Sequence, residues 1–61
     1  MLLKKGSSGQ EVVELQQALG IKADGIFGAG TKKAVEAYQK KHHLMVDGIV
    51  GPQTLAMIRE G

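Results

Sequence analysis

Sixty-one residues, 43% of them hydrophobic and 23% charged, limit this chain to one domain near the lower size at which a core folds unaided. It has no cysteine, which excludes disulfide staples and thiolate metal sites. The formal net charge of +2 is mildly basic and by itself too small to indicate a nucleic-acid partner. Met1-Leu2-Leu3-Lys4-Lys5 holds no apolar run long enough for a signal peptide, and no stretch is long enough to span a membrane.

In chain order, a short extended lead-in runs through Leu3, and the first helix is predicted over residues 9–19. Val12, Leu15 and Leu19 fall at i, i+3 and i+7 with Ala18 beside them, while Glu11, Glu14 and Gln17 face elsewhere. Ser8 or Gly9 serves as N-cap, Glu11 lies in the first turn where the helix dipole favours an acid, and Gly20 is placed to end the helix. The second helix is predicted over 29–42, capped by Gly28, with Ala34, Val35 and Tyr38 as an inner stripe continued by His42. Pro52 marks the start of the third, 52–59, because proline is favoured where its missing N–H is not needed. Gly51 is then the N-cap, Thr54 the third helical residue, and Leu55 and Ile58 face inward.

A repeat organises these elements. Asp24-Gly25-Ile26-Phe27-Gly28-Ala29-Gly30-Thr31 returns as Asp47-Gly48-Ile49-Val50-Gly51-Pro52-Gln53-Thr54, 23 residues further on. The same offset pairs Val12 with Val35, Leu15 with Tyr38, Gln16 with Gln39, Ile21 with Leu44 and Val35 with Ile58. The expected fold is therefore all-α, a compact three-helix bundle with two Asp-Gly loop repeats, forming a single domain over residues 1–61. Three helices this short cannot each bury a stripe alone and must pack together.

The loops are turn chemistry. Asp24 and Asp47 can accept hydrogen bonds from backbone N–H groups just ahead of them, and Gly25 and Gly48 can adopt positive φ without a Cβ penalty. Ile26 and Ile49 are expected to anchor each loop in the core. Gln16 and Gln39, each eight residues before its Asp, are expected to satisfy loop backbone groups, with Thr31 and Thr54 doing similar work. Phe27, between glycines, reads either as a loop plug or as a partly exposed stacking surface.

The pattern Gly9-x-x-Val12-x-x-Leu15-Gln16-x-x-Leu19, then Asp24-Gly25-Ile26-Phe27-Gly28-x-x-Thr31, Ala34-Val35-x-x-Tyr38-Gln39 and Asp47-Gly48-Ile49-Val50-Gly51-x-x-Thr54 resembles the peptidoglycan-binding domain of the first type. The resemblance covers the chain from about Leu3 to Ile58. Tyr38 stands where that family usually has Phe, and the link Gly20-Ile21-Lys22-Ala23 is shorter than in many members. What the resemblance implies is a three-helix module that holds a linked cell-wall hydrolase such as a phage endolysin on its polymer; no catalytic role and no cofactor are expected of the chain itself, and so polar a surface is expected to leave it monomeric. It would act at the bacterial cell wall, in the periplasm or outside the cell, and a chain running from Met1 to Gly61 fits an excised N-terminal module.

No catalytic constellation stands out. His42 and His43 are adjacent, so on a helix they point about 100° apart; they read as one partly buried and one solvated ring rather than a metal pair. Asp24 and Asp47 read as turn formers rather than a catalytic dyad, and neither loop has the oxygen donors of a calcium site. Lys32, Lys33, Lys40 and Lys41 give the second helix a basic side, which reads as a solvated face before a contact with anionic wall polymer. A DNA-binding helix-turn-helix needs a 3–4-residue turn before its recognition helix, and the stretch from Leu44 to Gly51 is too long for that. The other alternative is a prodomain-like or protein-interaction module, although the cysteine of the family's protease prodomains is missing. The expected binding positions are Asp24, Gly25, Phe27, Gly28 and Thr31 with Asp47, Gly48, Val50, Gly51 and Thr54. There the loop N–H groups and the following helix starts can present donors to a stem-peptide carboxylate or glycan oxygen.

Overall fold

Glycine and proline set the helix ends. The computed structural model describes residues 2–60 and contains α1 (Gln10–Leu19), α2 (Ala29–Lys41) and α3 (Pro52–Glu60). Each lies within one residue of its expected bounds. The Gly9 carbonyl accepts from Val12 and Val13 N–H at 3.1 and 3.2 Å and so starts α1, with Glu11 in its first turn. The carbonyls of Gly28 and Gly51 start α2 and α3 in the same way, accepting from Lys32 N–H at 3.0 Å and Leu55 N–H at 2.9 Å.

The repeat extends to how helices end. Gly20 takes φ +74, and Ile21 N–H returns to the Gln16 carbonyl at 3.0 Å. After α2, Leu44 N–H returns to the Gln39 carbonyl at 2.8 Å, and His43 occupies the left-handed position at φ +59. The second copy thus makes the αL helix end without glycine. The stop falls at Lys41, and His42 does not continue the buried stripe: both histidines are exposed. His42 instead lies over Tyr38, ring centroids 4.2 Å apart. Ala18 is likewise exposed and lies off the α1 stripe.

The core draws on every element: Leu3 from the lead-in, Val12 and Leu15 from α1, Phe27 and Val50 from the two loops, Val35 from α2 and Ile58 from α3. Leu19, Tyr38 and Leu55 flank it. The helix that packs against both others is α1. An exposed Arg59–Glu14 pair at 3.1 Å also joins α3 to α1, a contact worth under about 1 kcal/mol at an exposed site.

The lead-in ties the two loops together. Leu3 and Val50 exchange both backbone hydrogen bonds, at 2.9 and 2.8 Å, as an isolated antiparallel bridge. Further on, Phe27 N–H donates to Ser7 O at 2.9 Å, Gly6 N–H to Phe27 O at 3.0 Å and Gly9 N–H to Gly25 O at 3.0 Å. Residues 3–9 thereby bond to both Asp-Gly loops.

Candidate functional site

Each loop is built around a buried glutamine amide. Gln16 Nε2 donates to Asp24 Oδ1 at 2.9 Å, to the Ile26 carbonyl at 3.0 Å and to Thr31 Oγ1 at 3.0 Å, while Gln16 Oε1 accepts from Gly25 N–H at 2.9 Å. Gln39 repeats the set: Nε2 to Asp47 Oδ1 at 2.9 Å and to Ile49 O at 3.0 Å, with Oε1 accepting from Asp47 and Gly48 N–H at 3.2 and 3.0 Å. Both side chains are buried, and both meet their hydrogen-bonding needs inside the loop. Thr31 joins the first clamp; among the described residues, the half-buried Thr54 makes no matching side-chain bond.

Each Asp closes its turn by accepting the N–H two residues ahead, Ile26 at 3.0 Å and Ile49 at 2.9 Å. These backbone bonds, then the glutamine amides, hold both carboxyls below the usual carboxylate range. The two glycines are required: Gly25 and Gly48 sit at φ +76 and +70 and are buried. A Cβ at Gly25 would lie 3.1 Å from Val13 Cγ2, and one at Gly48 would lie 2.9 Å from Lys32 Cε.

The expected anchors are displaced by one residue. Ile26 is 62% exposed and Ile49 only half-buried, whereas Phe27 and Val50 are each 1% exposed and fill the core. The Asp turn causes this. Once the Ile26 N–H faces Asp24 and its carbonyl faces Gln16, the side chain projects outward, and the next residue of an extended segment points inward. Phe27 is therefore a loop plug, and its reading as an exposed stacking surface is overturned.

Two clefts open beside the clamps. The first, about 290 Å³, is bordered by Gln16, Asp24, Ile26, Gly28 and Thr31; the second, about 350 Å³, by the counterparts Gln39, Asp47, Ile49, Gly51 and Thr54. Three further pairs complete the linings at the same 23-residue offset: Ile21 with Leu44, Lys22 with Met45, and Gly30 with Gln53. The second cleft adds Leu2 and Pro52. Of the ten expected positions, six therefore border a cleft: Asp24, Gly28 and Thr31 in the first, Asp47, Gly51 and Thr54 in the second. Gly25, Phe27, Gly48 and Val50 are buried and shape the loops from behind. Sequence reasoning did not place Lys22, Gly30, Met45 or Gln53 at the site. The repeat offset carried that signal, because it sets these residues at matching distances from each Asp.

A buried amide clamp made twice, with a duplicated cleft beside it on three short helices, defines a small repeat-built binding module. The chain belongs to the family described as putative peptidoglycan binding domain, whose model matches residues 8–58. The spore cortex-lytic enzyme of Bacillus cereus is 40% identical over 63 residues, covering 93% of this chain and 24% of that protein. The crystal structure of the SleB N-terminal domain superposes with a TM-score of 0.92 at 38% identity, covering 98% of this chain and 90% of that one. That of the Burkholderia AP3 phage endolysin gives 0.89 at 36% identity, covering 95% and 24%. The chain thus spans about a quarter of the length of the curated relative and of the endolysin, whose enzyme names describe proteins with much more chain than this domain.

Proposed function

We propose that this chain is a non-catalytic peptidoglycan-binding module that holds a linked cell-wall hydrolase on its polymer. The observation that carries the reading is the duplicated cleft. The family frame builds two matching amide clamps, and each has a cleft beside it lined by residues at the same repeat offset. Ligand is met at or beside Asp24, Gly28 and Thr31 and at Asp47, Gly51 and Thr54, with Gly25, Phe27, Gly48 and Val50 fixing the loop shape. The first-turn N–H groups of α2 and α3 follow glycine caps, which offer no capping side chain, and so remain able to donate to a carboxylate or glycan oxygen. Clefts this small give weak affinity, and the gain comes from raising the local concentration of substrate for the attached enzyme. The protein works as a monomer at the bacterial cell wall, in the periplasm or outside the cell.

The test is co-sedimentation with purified sacculi, with duplex DNA as control at the same moderate salt. Retention on sacculi and not on DNA supports the reading. No retention on sacculi of several wall types refutes it and leaves a prodomain-like or protein-partner role for the same fold.

A further inference from the structure

The two clefts share one frame but differ in chemistry. Lys22 and Asp24 give the first a cation and an anion, whereas among the described residues Asp47 is the only charged side chain lining the second, which is otherwise edged by Leu2, Leu44, Met45 and Pro52. The Ile26 N–H and then the Gln16 amide keep the Asp24 carboxyl low, Lys22 adds least, and Lys22 and Asp24 are not paired: the one ion pair within 4.0 Å among the described residues is Arg59–Glu14. The bonds that Asp24 accepts from Gln16 and Ile26 fall on Oδ1, leaving Oδ2 without a partner among the described residues.

The clefts also differ in how open they are. A Cβ built on Gly28 or Gly30 meets nothing within 4 Å, so the first cleft is clear at both positions. In the second, a Cβ on Gly51 would lie 3.5 Å from Leu2 Cδ2, and Gln53 adds a side chain where Gly30 adds none. A volume of about 290 Å³ lies at the small end of ligand sites and suits one amino-acid residue rather than an oligomer.

Resting on the peptidoglycan reading above, we propose that the first cleft takes the ligand, and that this ligand is a stem-peptide residue bearing both a free ammonium and a free carboxylate. The carboxylate lies toward Lys22 and the ammonium toward Asp24. Neutral amino sugars have no use for the two charges and are not the primary contact.

The experiment is an NMR titration of the module with three probes: a disaccharide–tetrapeptide whose diamino-dicarboxylic residue is free, the same compound with that residue's carboxyl amidated, and the disaccharide alone. Sacculus retention is measured in parallel. The free peptide should shift resonances of Lys22, Asp24 and Gly30. Amidation of the ligand, or Lys22→Met, should each weaken Kd about fivefold, as for one exposed charge pair. Gly30→Gln copies the second cleft into the first. It should abolish binding without lowering Tm, because it enters open space and replaces a poor helix former. Lys5→Met and Gln17→Ala, exposed and outside both cleft linings, should leave Kd unchanged. The proposal is overturned, with the peptidoglycan reading intact, if sacculi retain the parent but the disaccharide alone binds as tightly. It is equally overturned if Lys22→Met and Gly30→Gln both bind like the parent. A parent that sacculi do not retain overturns both.

Discussion

Replacing Gln16 with Leu isolates the amide clamp, because the two side chains have similar size and only the hydrogen bonds are removed. Four groups lose a partner. Asp24 Oδ1 is part-buried and can turn to water, and the Ile26 carbonyl keeps the bond it already accepts from the Thr31 hydroxyl at 3.4 Å. The Gly25 N–H has no such escape, since its bond to Gln16 is buried. An unsatisfied buried N–H costs about 1–3 kcal/mol, and with the lost contacts the expected destabilisation is about 2–3 kcal/mol. In a domain of this size each kcal/mol moves Tm by roughly 4–8 °C, so Gln16→Leu should melt about 10–20 °C below the parent by circular dichroism. Gln16→Glu adds a control. It keeps the acceptor for Gly25 but places a second carboxylate against Asp24 Oδ1, so it should be worse at neutral pH than in acid, whereas the Leu variant should not respond to pH in this way. A Gln16→Leu protein melting within about 2 °C of the parent would refute the clamp as a source of the first loop's stability.

Gly25→Val and Gly48→Val combine a positive φ with a crowded Cβ, and each should lose more than about 1–2 kcal/mol in urea denaturation. His43→Gly should act in the opposite sense, raising Tm by a few degrees, because it removes about 1 kcal/mol of left-handed strain at the end of α2. Phe27→Ala should cost about 3–5 kcal/mol as a buried aromatic truncation, so any loss of wall binding in that variant must be accompanied by loss of its melting transition. Asp24 and Asp47 have lowered carboxyl pKa values in the folded state, so they contribute stability above the unfolded value near pH 4 that disappears as pH falls through the folded values. Tm should be level from pH 7 to about 5 and drop below about 4, and Asp24→Asn with Asp47→Asn should flatten that drop.

The helices and the clamps were legible because they rest on local rules. Gly9, Gly20, Gly28 and Pro52 set the helix bounds through backbone geometry alone, and the Gln16 and Gln39 partners followed from equal spacing to each Asp. The anchors were not legible. Ile26 and Phe27 are both apolar neighbours, and composition cannot say which faces inward; the Asp24 turn fixes the phase, and that depends on where Gln16 directs its amide. His42 failed for a related reason. Its i+4 spacing from Tyr38 holds only while the helix continues, and the stop at Lys41 leaves the ring free to lie on Tyr38 instead of in the core. The clefts lay hidden because their lining mixes loop, link and first-turn residues that share no periodicity except the repeat.

The bridge between Leu3 and Val50 sets a constraint on timing. A core position supplied by the third residue is locked by a partner near the far end of the sequence, so a nascent chain cannot complete its interior while Val50 is still within the ribosome. The two copies look as though they should fold one after the other. Joined through Leu3, they share one long closure from residue 3 to residue 50, the kind of non-local contact that carries a loop-closure cost and slows folding.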